Sequence, residues 1–140
     1  MARTIKGNEL AIQSYIFTTA KYDFNAYEKR IMYRLVEFAQ DEIKGIMIRD
    51  NMHKITPTIF GREITMPVAD ILRNEKDQNY TIAKKAFRSL AQKGVEYEDD
   101  EIWQYTSIIS SPKIDKIKGY VIFTVLDDIW RCLLDFTKGY

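Results

Sequence analysis

The sequence predicts an α+β domain, and three observations carry that expectation. Two segments, Ala26 to Gln40 and Tyr80 to Lys93, place apolar residues at helical spacing with charged residues opposite them. Around and after them come runs rich in β-branched and aromatic residues, at 46–48, 55–66, 102–109 and 118–126. A chain of 140 residues, 46% hydrophobic and 29% charged, is about one domain with one sizeable core. No repeat, low-complexity stretch or linker divides it, so residues 1–140 read as a single domain.

The elements follow in order. Asn8 to Lys21, with its run SYIFTTA, is ambiguous between helix and strand and is read here as a helix. Asn25, with Glu28 three residues later, forms an Asn version of the capping box that satisfies free N–H groups at a helix start. Tyr27, Ile31, Leu35 and Phe38 then make an apolar stripe flanked by Met32, Val36 and Ala39, while Arg30, Arg34, Glu37 and Asp41 lie opposite. Gly45 ends that helix. Strand segments follow at Ile46 to Ile48 and Ile55 to Met66, with Gly61 as a turn.

Pro67 stops the strand and suits the first turn of a short helix, PVADILRN, with Val68, Ile71 and Leu72 inward. After the polar break EKDQN, the helix Tyr80 to Lys93 buries Ala83, Ala86, Phe87, Leu90 and Ala91, and Gly94 is its expected left-handed cap. Residues 102–109 and 118–126 are expected to pair as a long hairpin with SSPKIDKI as its tip. A last helix, capped by Asp127 or Asp128 and ended near Gly139, turns Ile129, Trp130, Leu133 and Phe136 inward. Short helix, turn, second helix and hairpin is the order of a winged helix, a helix-turn-helix with a long β-hairpin wing, here behind extra N-terminal helices.

That fold directs attention to cations. The second helix carries Lys84, Lys85 and Arg88 on its outer side, the hairpin tip carries Lys113, Lys116 and Lys118, and Arg73 and Lys76 flank the turn. Such residues can hold DNA phosphates in a salt-dependent, sequence-tolerant way. The same cations also fit an ordinary solvated face. The chain as a whole is near neutral, with 21 Lys+Arg against 20 Asp+Glu, so any case for nucleic acid rests on local clustering. The acidic run Glu96, Glu98, Asp99, Asp100 and Glu101, expected at the wing's base, would repel DNA on a shared surface.

Other functions find little support. No apolar run reaches the roughly 20 residues of a membrane span, and the start MARTIKGNEL has no apolar core or cleavage site of a secretory signal. The single cysteine, Cys132, reads as a small buried hydrophobe, points to a reducing cytoplasm and excludes a multi-cysteine metal site. The acidic run lacks the glycine-spaced pattern of a calcium loop. His53, the only histidine, reads as a surface residue rather than a general base. No phosphate-binding glycine motif or nucleophile elbow occurs, so no enzyme, metal or cofactor is expected. Trp103 and Tyr105 share one face of a strand; they could stack bases, but core packing is the expected role.

The stretch SYIFTTAKYDFNAYEKRIMYRLVEFA, Ser14 to Ala39, resembles the opening of iteron-binding, RepA/RepE-like plasmid replication initiators. The residues that carry the resemblance are Ala20-Lys21-Tyr22, Phe24, Asn25 and Glu28-Lys29-Arg30-Ile31, joined by the closing LLDFTKGY. Members of that family carry two winged-helix domains in tandem, and the resemblance implies that this chain is the first of them. It further implies dimerisation, supporting contacts with the backbone of double-stranded DNA at plasmid origin repeats, weak in this fragment, and host replication proteins as further partners. The dimer is expected to form through exposed apolar sheet or edge-strand surface. A winged-helix transcription regulator and a module that binds only proteins are the competing readings.

Overall fold

The computed structural model of the chain describes residues 23–45, 53–72 and 79–138. Asn25 caps the first described helix, α1 (Ala26–Ile43), with both halves of the expected capping box formed. The Glu28 N–H donates to Asn25 Oδ1 at 2.8 Å and the Asn25 N–H to Glu28 Oε1 at 3.3 Å. The helix runs one turn past Gln40 before Lys44 and Gly45, with φ 71°, end it. Ile31, Met32, Leu35, Phe38 and Ala39 are buried, as the stripe predicts. Each large apolar side chain so covered contributes about 1.5–3 kcal/mol.

Strands β1 (Lys54–Pro57) and β2 (Gly61–Pro67) form the first hairpin. Its turn is held by Thr58, whose Oγ1 accepts from the N–H groups of Phe60 and Gly61, both at 3.2 Å. A single 3-10 turn at Val68–Asp70 stands in place of the described part of the expected helix PVADILRN, whose Arg73 and Asn74 lie outside the described residues. The Val68 N–H donates to Gly119 O at 3.0 Å, and the N–H groups of Ile71 and Leu72 donate to the carbonyls of Val68 and Ala69. The turn is therefore tied to the second hairpin tip described below, while Val68, Ile71 and Leu72 are buried as expected.

Helix α2 (Tyr80–Gln92) is capped by Asn79 and buries Ala83, Ala86, Phe87 and Leu90. Gly94 is not its left-handed cap. The glycine opens strand β3 (Gly94–Glu98), and a Cβ there would lie 2.5 Å from the Tyr105 ring and 2.9 Å from Thr106 O. Space rather than backbone twist requires glycine there.

The expected pairing of 102–109 with 118–126 is not formed. Strand β4 (Trp103–Ser107) pairs with β3 as a separate two-stranded sheet. The wing is instead β5 (Ser110–Asp115) against β6 (Tyr120–Leu126). The residues Ser110, Ser111 and Pro112 read as turn residues, yet they enter the strand through an irregularity between Ser110 and Lys113, with Ser111 at φ 53°. A bulge lets turn-forming residues sit in a strand. Ile108 and Ile109, both fully buried, carry the chain from the small sheet to the large one.

The large sheet is antiparallel, in the order β1-β2-β6-β5. Val121, Phe123 and Val125 of β6 point into the core, and Phe123 pairs in register with Ile64 of β2. Helix α3 (Asp127–Lys138) closes the domain with Ile129, Trp130, Cys132 and Leu133 buried. Trp130 Nε1 donates to Glu42 Oε2 at 2.9 Å, and Arg62 Nε donates to Glu42 Oε1 at 2.8 Å. The expected helix at Asn8 to Lys21 and strand at Ile46 to Ile48 lie outside the described residues.

Candidate nucleic-acid interface

Two structural anchors place α2. At its C-terminal end, Lys93 Nζ pairs with the buried Glu28 carboxylate and sits 4.8 Å from the centre of the Phe24 ring. Ser89 Oγ adds a hydrogen bond to Glu28 Oε2 at 3.3 Å. At its other end, Tyr80 OH donates to Lys116 O at 3.1 Å, strutting the helix against the wing tip. Phe87 packs on Phe123 with ring centres 5.6 Å apart. The outer side of α2 is thereby turned outward, and Lys84, Lys85 and Arg88 are all exposed.

Across from that side runs β5. A cleft of about 370 Å³ lies between them, lined by Lys84, Phe87, Arg88, Ala91, Gln92, Pro112, Ile114 and Lys116. Three of the expected cations, Lys84, Arg88 and Lys116, are thus brought to one groove whose floor is apolar. Lys85 and Lys118 are exposed beside it on the same helix and the same tip. Lys113 is exposed too, but strand alternation sets it on the face of β5 opposite Pro112 and Ile114. Arg73 and Lys76 lie outside the described residues.

The tip is narrower than SSPKIDKI and consists of Lys116 to Gly119. Asp115 organises it: Oδ1 accepts from the N–H groups of Ile117 at 3.0 Å and Lys118 at 2.9 Å. The Gly119 N–H donates to Asp115 O at 2.8 Å, and Gly119 adopts φ 77°. The Lys118 N–H is the main reason the Asp115 carboxyl sits below its ordinary value; desolvation opposes it, and the Ile117 N–H and the charges of Lys118 and Lys113 add to the lowering. The tip thus presents its lysines from a preformed turn. No local pattern in the sequence marks the part played by Tyr80. Only the aspartate carried a local signal, an Asp four residues before a Gly.

Three further expectations need correction. Trp103 and Tyr105 are not core residues; they are 61% and 50% exposed on the outer face of β4. The acidic run is not at the wing's base but on the β3–β4 hairpin, where Asp99 Oδ1 accepts from Glu101 N and Ile102 N. His53 is half-buried rather than a surface residue. Its Nε2 lies 2.7 Å from Asp70 Oδ2, and Arg34 Nε lies 3.5 Å from the same oxygen. Arg34, with Arg30 donating to Ile71 O at 2.9 Å, therefore faces the 3-10 turn rather than open solvent alone. These groups fasten α1 to the segment leading into α2.

Among the described residues no helix is long and apolar enough to cross a membrane, and no group of three or more His, Cys, Asp or Glu is placed to hold a metal ion.

Comparison with known proteins adds the following. Residues 10–140 match the family model described as Initiator Replication protein, WH1. The fold is similar to that of the WH1 domain of MSBI1.176, a replication protein isolated from a multiple sclerosis patient. That domain is 14% identical, with a TM-score of 0.54 over 93% of this chain and 95% of that one, a likeness of fold alone. No curated protein matches the chain. Three described helices and a four-stranded antiparallel sheet are thus the α+β arrangement of a winged-helix WH1 domain.

Proposed function

The chain belongs to the replication-initiator WH1 family, and from that premise we propose that it serves plasmid replication as a dimerising domain that supports an initiator's grip on origin DNA. The observation that carries the reading is the groove between α2 and the wing, where Lys84, Arg88 and Lys116 face one another above an apolar floor. Cations held on rigid elements and open to solvent suit phosphate oxygens, whose contacts position a protein without reading sequence. The near-neutral balance of the whole chain fits a supporting role better than that of a solitary DNA reader.

Dimerisation has its own support. β1 forms one edge of the large sheet among the described residues, and at its turn Ile59 and Phe60 are 92% and 66% exposed. An edge strand beside apolar side chains is a ready surface for a second copy. In this reading the chain is a first, N-terminal domain working in the cytoplasm beside a second DNA-reading domain. Host replication proteins are its further partners.

The test is an anisotropy titration of the chain with duplex DNA of unrelated sequences at several salt concentrations. The reading expects weak binding of similar strength to each duplex. Replacing Lys84, Lys85 and Arg88 together by Ala should weaken all of them alike and flatten the salt dependence by about 2–3 in log–log slope. Tight binding to one operator would favour a transcription regulator, and no salt-dependent binding at all would favour a module for proteins only. Sedimentation at tens of micromolar, near the midpoint of a weak contact of about 6 kcal/mol, should show a dimer in exchange with monomer.

A further inference from the structure

Away from the cationic groove, the outer face of the β3–β4 hairpin is built from two repeating pairs. Trp103 stands opposite Glu98 and Tyr105 opposite Glu96 in the register of the two strands. All four side chains are exposed. Gln104 and Thr106 point the other way; Gln104 Nε2 donates to Asp128 Oδ2 at 2.6 Å, and Thr106 is buried. The hairpin therefore rests on the domain by one face and leaves an aromatic one open. Large rings that could have filled a core are instead kept in water, the pattern of an interaction surface rather than of a lone exposed apolar residue.

The charge around this face selects its occupant. Between Gly94 and Ile109 the chain has five carboxylates, at Glu96, Glu98, Asp99, Asp100 and Glu101, and no Lys or Arg. A second copy laid against the face would bring these groups together, and DNA would be repelled outright. A cation is what both halves of each pair attract: the ring through its negative face, the carboxylate through its charge.

We propose that the β3–β4 face docks an extended, basic segment of a partner protein whose Arg or Lys side chains occur at alternate positions. The spacing dictates the pattern. Trp103 and Tyr105 are two residues apart on a strand, about 6.6–7 Å along it, and alternate residues of any extended segment recur at the same interval. One cation then meets each aromatic–carboxylate pair. Among the described residues β4 pairs with β3 alone, so a segment running beside β4 can also add main-chain hydrogen bonds. This docking is independent of the DNA reading above, since it uses the opposite charge on a different hairpin.

The experiment titrates the 140-residue chain into fluorescently tagged nine-residue peptides. One alternates arginine with threonine, one has the same composition with its arginines contiguous, and one replaces arginine by glutamate. The alternating basic peptide should bind at least about fivefold tighter than the contiguous one and the acidic one should not bind. Trp103→Ala should weaken the alternating peptide by about fivefold, the loss of one cation–π contact. Glu96→Gln with Glu98→Gln should weaken it by about tenfold, whereas Lys84→Ala with Arg88→Ala should leave it unchanged. Unchanged thermal unfolding of each variant shows that the fold is intact. Equal binding of the two basic peptides, or full binding by Trp103→Ala, would overturn the proposal. So would a dimer that dissociates on Trp103→Ala, which would give the face to a second copy, or DNA binding that is lost with it.

Discussion

Lys93, the residue that ends α2, reaches the carboxylate of Glu28, the residue that completes the cap of α1. One 2%-exposed side chain thus serves two helices through a pair of residues 65 positions apart. This pair sets the position of the helix whose opposite side presents the cations.

Removing either partner should have unequal effects. Glu28→Gln keeps a side chain that can complete a capping box and leaves no buried charge, so about 1 kcal/mol should be lost. Lys93→Met leaves the carboxylate buried without its cation, and about 3 kcal/mol should be lost. Urea unfolding of the two variants tests the order; a larger loss in Glu28→Gln would contradict it.

Stability should fall in acid through Glu42. Burial works to raise this carboxyl, but the hydrogen bonds from Arg62 and Trp130, together with the Arg62 charge, outweigh it and hold the group below its ordinary 4.5. A lowered folded value means that the stabilisation is complete above about 4.5 and is lost as pH falls through the folded value. Thermal unfolding between pH 6 and 3 should therefore decline less steeply in Glu42→Gln than in the natural sequence. An identical slope would remove Glu42 from the account.

Gly94→Ala should destabilise by about 2 kcal/mol, the usual order for overpacking. Its Cβ would meet the Tyr105 ring, which can move, and Thr106 O, which is backbone. In a Tyr105→Ala background the cost should shrink without vanishing, a coupling that a double-mutant cycle reads directly. Additive effects would mean that the ring is not the obstacle.

The wing's lysines should not be equivalent. Lys116 lines the cleft beside α2, while Lys113 lies on the other face of β5. Lys116→Ala should lower the salt dependence of DNA binding by about one unit of slope, and Lys113→Ala by much less. Equal effects would place the DNA on both faces of the wing.

Much of the helical framework was legible locally. The Asn25–Glu28 box, the Ile31–Leu35–Phe38 stripe and the Ala83–Phe87–Leu90 stripe each declare a helix within a few residues, because a helix satisfies its backbone within one turn of itself. The cations of α2 were legible for the same reason: opposite a buried stripe, Lys84 and Arg88 can only face outward. Strand partners were not. Residues 103–107 suit β6 as well as β3 by composition, and the bulge after Ser110 hides a strand behind turn residues. Polar fasteners such as His53–Asp70 and Tyr80–Lys116 join residues with no local pattern between them.

The amino-acid order alone determined that this is an α+β domain, which helix faces are buried, and that its positive charge is clustered while its total charge is near zero. Tertiary structure alone decided which strands pair, that Lys84, Arg88 and Lys116 share one groove while Lys113 is turned away from it, and that Trp103 and Tyr105 stand in water. The physical reason is range. Helical hydrogen bonds and burial stripes are written within a turn or two, whereas strand pairing and groove walls depend on contacts between residues far apart in the chain, settled only when the whole core packs.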